Sequence, residues 1–170
     1  MEMIVNFLAS LPYTEYCERQ GSAAWNAEPV NAVTAIVLLI SAFYIWKLIK
    51  NRHGVNDKRF IFLPFLLAVS ALANIFYHLS PNSFAYWLDV VPLAIFWLNI
   101  LYLLFLFASS PQKIKGLLLF GLGGFLLFWV RSFDPVICSQ FPLGTHFSLH
   151  ILLAVSAYLA TRALLVIRGV

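Results

Sequence analysis

His146 and His150 stand four residues apart in Pro142–His150, PLGTHFSLH, at the mouth of a long apolar segment. On a helix that spacing puts two imidazoles on one face, about one turn apart, with both rings reaching toward one point. It is the commonest way for a single helix to offer two nitrogen ligands to a zinc-type metal. A lone HxxxH is more often two unrelated histidines, one at an interface and one packed. Other polar residues shift that balance. His78 ends a second apolar run and Asp89 lies about two turns into a third. Ionisable groups inside such runs are costly and usually face a bundle interior where they act. Four of them at one level point to a metal site.

The elements that must position these residues are membrane spans. The 170-residue chain is 62% hydrophobic and 11% charged, and Phe occurs 16 times. Roughly a quarter of a soluble domain is charged, so the solvent here is a bilayer. The expected fold class is all-α, a polytopic transmembrane helical bundle. Five apolar runs are long enough, or nearly so, to cross a hydrocarbon core about 30 Å thick. They are Pro29–Ile49, Phe60–Leu79, Phe84–Ala108, Gly116–Val130 and Thr145–Ile167. The fourth is the shortest and carries Gly121, Gly123 and Gly124, which suit close helix–helix approach. Asn99, deep in the third, is expected to make an interhelical hydrogen bond. The apolar stretch Met3–Leu11 is too short for a span and contains Asn6, so residues 1–28 read as an extramembrane arm on a 29–167 bundle, one domain in all.

Orientation follows from the basic residues. Lys47, Lys50, Arg52, Lys58, Arg59, Lys113, Lys115, Arg162 and Arg168 fall on one side, and only Arg19 and Arg131 on the other. The positive-inside rule then places the N-terminus outside and the C-terminus in the cytoplasm. With no aromatic-interleaved basic patch, the net charge of +4 speaks to topology and not to nucleic acid. His78, Asp89, His146 and His150 all come to the outer leaflet at comparable depth. Glu15, Glu18, Gln20 and Glu28 form a second cluster on that side. They read either as a hard-oxygen set suited to calcium or as a solvated acidic head with Glu28 favouring a helix dipole.

Taken together these residues resemble the alkaline ceramidase family, in the superfamily of membrane hydrolases that includes the adiponectin receptors. The matching pieces are YCER with WNAEPVNAVT, ANIFYH followed by LDVVPL, and RSFDPVICSQFPLGTHFSLH. They cover roughly residues 15–95 and 129–160. The resemblance implies a zinc ion held by His78, His146 and His150, with water in the fourth position and Asp89 beside it as the proton carrier. It implies calcium at Glu15, Glu18, Gln20, Glu28 and the Tyr16 carbonyl. It also implies a disulfide between Cys17 and Cys138, the only two cysteines, which the shared outer compartment allows; free thiols are the alternative.

The activity so implied is zinc-dependent hydrolysis of the amide of ceramide or a related N-acyl lipid, giving a free amine and a fatty acid. The site would face the periplasm or a secretory lumen. The partner would be membrane lipid, met by the chain alone or as a homo-oligomer. Two departures stand out. Asn74 occupies the place of a family serine, where it would donate an N–H to the oxyanion, and five spans stand in place of seven. The rival readings are a catalytically idle metal-containing receptor or scaffold, a lipid-ester hydrolase, and a structural membrane protein without metal.

Overall fold

The computed structural model describes residues 16–19, 22, 24–52 and 58–169; the expectations for Met3–Leu11, Glu15 and Gln20 lie outside them. All regular structure among the described residues is helical: α1 Pro29–Lys50, α2 Lys58–Leu79, α3 Ser83–Phe107, α4 Ser110–Phe133, a single 3-10 turn Asp134–Val136, and α5 His146–Arg168. Each of the five long helices is long and apolar enough to cross a membrane.

The helix ends follow local chemistry. Pro29 opens α1 at a position where no backbone N–H is needed. Asn82 caps α3 by accepting from the Ala85 amide at 2.9 Å. At the start of α4, Gln112 reaches back to the Ser109 amide at 2.8 Å, and Pro111 follows inside the first turn. That cap explains why α4 begins six residues before the expected Gly116, since the Lys113–Lys115 stretch is helical although it is not apolar. Gly169, at φ +80°, ends α5 in the left-handed conformation that glycine adopts without strain.

The core is the seam between α1, α2, α3 and α5. Leu38 and Ile45 from α1, Phe60 and Leu67 from α2, Phe96 and Leu103 from α3, and Ala157 and Leu164 from α5 are buried there. Helix α1 packs on both α2 and α5, α2 packs on α3, and α4 touches α3 and α5 only sparsely. Polar ties cross the seam: Ser41 donates to the Ala154 carbonyl at 2.7 Å, and Asn99 donates to the Arg59 carbonyl at 3.0 Å, the interhelical bond expected of it. The α4 glycines differ from expectation. A Cβ at Gly121, Gly123 or Gly124 would meet nothing within 4 Å, so these positions pack against no other helix among the described residues. Helix α4 has too few contacts for its small residues to be buried in one.

This topology brings four helix ends together. The α1 N-terminus, the α2 C-terminus, the α3 N-terminus and the α5 N-terminus carry Glu28, His78, Asp89 and His146 respectively, all at one end of the bundle.

Candidate metal centre

His78, His146 and His150 are fully or nearly fully buried, and one ring nitrogen from each falls within 4.8 Å of the others. Nε2 of His78 and Nε2 of His150 face each other at 3.4 Å. In both rings Nδ1 has a partner of its own. Nδ1 of His78 lies 2.5 Å from Oε2 of Glu28, an acceptor only when ionised, so Nδ1–H donates to it. Nδ1 of His150 lies 3.0 Å from the Thr34 hydroxyl. That hydroxyl gives its one proton to the Val30 carbonyl at 2.7 Å, so it accepts from Nδ1–H. The two Nε2 atoms are thus turned to one another in a buried site, where a single cation between them, a metal ion or a proton, would satisfy both. A tetrahedral ion with Zn–N bonds of about 2.0–2.1 Å requires ligand nitrogens about 3.3–3.4 Å apart. The His78–His150 pair already has that edge. Both ring nitrogens of His146 are buried without a hydrogen-bond partner among the described residues. The donor set fits a zinc-type ion.

The groups behind the ligands hold them in place. Glu28 is shared between His78 and Arg19, whose Nε donates to Oε1. Burial works against the Glu28 charge, but the hydrogen bonds and charges of His78 and Arg19 together hold its carboxyl below the usual carboxylate range. Arg19 also donates to the His78 carbonyl at 2.9 Å and to the Ser22 carbonyl at 3.0 Å, stitching the arm to the end of α2. Tyr16 stacks on His146, with ring centroids 3.8 Å apart. Asp134, wholly buried, accepts from the amides of Thr145 at 2.5 Å, His146 at 2.7 Å and Cys17 at 3.0 Å, fixing the start of α5 against the arm. Glu28→Gln is expected to weaken metal binding about 10–100-fold, the usual cost of losing a carboxylate behind a ligating histidine. Competition with a graded set of chelators measures it.

Asp89 is clamped from α2. Its Oδ1 accepts from the Ser70 hydroxyl at 3.0 Å and its Oδ2 from the Asn74 amide at 2.9 Å. Ser70 also donates to the Asp89 backbone carbonyl at 2.8 Å. Asn74, expected as an oxyanion donor, thus directs an N–H at Asp89.

The acidic arm is built differently from the calcium set expected of it. Glu18 accepts from the amides of Val30 at 2.6 Å and Asn31 at 2.9 Å, which makes it the cap of α1. The Tyr16 carbonyl accepts from the Arg19 amide at 2.9 Å in a turn, and Glu28 serves His78. The positive charge among these oxygens is the Arg19 guanidinium, which would repel a divalent ion at Glu28. The described residues do not fit calcium. Added calcium is expected to leave the melting temperature of the purified protein unchanged; a rise of several degrees would show a site formed with Glu15 and Gln20.

The Cys17–Cys138 disulfide is present, with an S–S distance of 2.08 Å. Thiol alkylation of denatured, non-reduced protein is expected to label neither cysteine. Reduction is expected to cost up to about 4–5 kcal/mol of stability in the chain-entropy account, given the long loop enclosed.

Several of these residues lay beyond the sequence reading. Ser70 sits one turn before Asn74 and two before His78, a spacing that could have marked it as part of the same face. Thr34, Arg19 and Asp134 carried no comparable signal, because their partners are distant in the chain. Comparison with known proteins finds no family model, no curated protein and no solved structure that matches this chain.

Proposed function

We propose that the chain is a multi-pass membrane hydrolase that uses a zinc ion held by His78, His146 and His150 to cleave the amide of an N-acyl lipid, ceramide being the class its motifs resemble. The observation that carries this reading is the convergence of three buried imidazoles, two of their Nε2 atoms 3.4 Å apart, at the bundle end where Asp89 is clamped by two donors. Three neutral imidazoles leave the ion an open position, as catalytic centres require. When bound, such an ion polarises the acyl carbonyl and acidifies water at that position.

The chain's own residues supply the rest. Asp89 accepts the proton of the attacking water and passes it to the amine as the C–N bond breaks, so that one water is consumed and a fatty acid and a free amine are released. Ser70 and Asn74 keep its carboxylate in one orientation, which spares the cost of ordering it during reaction. Glu28 and Thr34 hold His78 and His150 in the tautomer that presents Nε2. The excess of Lys and Arg in the loops at the opposite end supports an orientation with the N-terminus and the site outside and the C-terminus in the cytoplasm. At that depth an amide at the headgroup boundary can reach the histidines while its tails stay in the bilayer.

The test joins metal analysis to turnover. Purified protein is expected to contain one zinc per chain and to release fatty acid from ceramide in micelles. Stoichiometric zinc with no hydrolysis of any N-acyl or O-acyl lipid would leave a metal-containing receptor or scaffold, and absence of a transition metal from freshly purified protein would overturn the centre itself.

A further inference from the structure

We infer that Asn74 selects substrates that carry an N–H at the bond to be cleaved, so that the site favours secondary amides over esters of the same shape. This rests on the hydrolase reading and deepens it. The Asn74 group facing Asp89 is its NH2, which donates to Oδ2 at 2.9 Å. That fixes the amide plane and turns Oδ1 away from Asp89. Asn74 is 6% exposed, and its Oδ1 is buried with no hydrogen-bond partner among the described residues. Ser70, the nearest hydroxyl on that face of α2, gives its proton to Asp89 instead. Buried acceptors are normally paired, and one left alone seeks a donor from whatever fills the site.

Its position says which donor. Asn74 lies one helical turn before His78 on the same face of α2, beside the proton carrier. A secondary amide whose carbonyl points to the histidines has its nitrogen on the side of Asp89, and the N–H is then the nearest donor to Oδ1. As the proton passes from Asp89 to that nitrogen, the leaving amine gains a second N–H and Oδ1 continues to accept. An ester puts an oxygen lone pair against Oδ1 and leaves it unpaired. Sites built around such a bond reject the analogue that lacks it far more strongly than apolar pockets reject a missing methylene. Asn31 Oδ1 is the other buried side-chain carbonyl oxygen left unpartnered, but its amide donates to Glu28 and not to Asp89.

Three lipids decide it: a long-chain secondary N-acyl amine, its N-methyl derivative, and the isosteric ester. Binding is measured by tryptophan fluorescence on chelator-treated protein, which holds the lipids without turning them over, and kcat/KM on zinc-loaded protein. The parent is expected to bind the secondary amide about tenfold or more tightly than either of the others, the factor that one unpaired buried acceptor commands. Asn74→Ala should equalise the three. Asn74→Ser, which can still donate to Asp89 from a shorter side chain but carries no carbonyl oxygen, should likewise lose most of the binding preference. Equal binding of all three lipids by the parent overturns the inference without any variant having to fold, as does a preference that survives both substitutions. Selective binding with no cleavage by the zinc-loaded protein would sink the hydrolase reading and leave the N–H selection standing. Cleavage of amide and ester with equal kcat/KM would do the reverse.

Discussion

Replacing Asp89 with Asn is expected to lower amide hydrolysis about 10²–10⁴-fold, the range over which a positioned proton carrier contributes, while bound zinc stays at one per chain. Asp89 contacts Ser70 and Asn74 and is not one of the three clustered ligands, so the metal does not depend on it. The substitution removes the proton-accepting group and also spoils its clamp. A carboxamide offers a single oxygen to the two donors of Ser70 and Asn74, and its own NH2 must face one of them. Metal content by mass spectrometry and fatty-acid release by the same preparation check both halves. A variant that keeps its zinc and hydrolyses at the parent rate would require a proton carrier elsewhere.

Asp134→Ala is expected to cost about 3–5 kcal/mol of stability, the lower part of the sum over three amides left without their acceptor at about 1–3 kcal/mol each, and to lower zinc occupancy with it. Three amides lose their acceptor at once: Cys17 in the arm, and Thr145 and His146 at the start of α5. Each is left in a buried or partly buried position, where an unpaired polar group costs about 1–3 kcal/mol. Because one of those amides belongs to a metal ligand, the damage reaches the centre and is not confined to folding. Thermal unfolding in detergent, followed with and without added zinc, separates the two losses. Asp134→Asn should be milder, since its Oδ1 still accepts from Thr145 and His146 while its NH2 faces the Cys17 N–H, donor against donor. Gly144 supports the same clamp from the other side. Its φ of +65° and the space its missing side chain leaves to the Asp134 carboxyl both exclude alanine there. A parent-like melting temperature for Asp134→Ala would show that the arm and α5 are joined by other means.

Five helices long and apolar enough to cross a membrane, and the shared level of the polar residues, were legible in the sequence alone, because both depend on local properties. Hydropathy over about 20 residues sets a span, and a four-residue spacing sets which side chains share a helix face. His146 and His150 could be paired from the chain by that rule, and His78 and Asp89 could be placed beside them by depth. The ends of α4 were less legible, since its first turn is held by Gln112 and Ser109 and not by apolar character. Its glycines suggested a packing that the fold does not make.

What only the tertiary structure decided is how the polar groups divide their partners. Glu28 lies 50 residues from His78 and Asp134 lies 117 from Cys17, and no periodicity links such pairs. From composition, Glu18, Glu28 and the Tyr16 carbonyl are interchangeable oxygens, equally suited to a calcium ion, a solvated head or a helix cap. Folding the arm over the bundle mouth makes them unlike. Glu18 meets the first amides of α1, Glu28 meets an imidazole and a guanidinium, and Arg19 brings the positive charge that a divalent ion would have supplied. The packing of α3 on α2 in turn sets Asn74 against Asp89, because a carboxyl oxygen in reach of an amide takes its N–H and so determines which way the amide oxygen points.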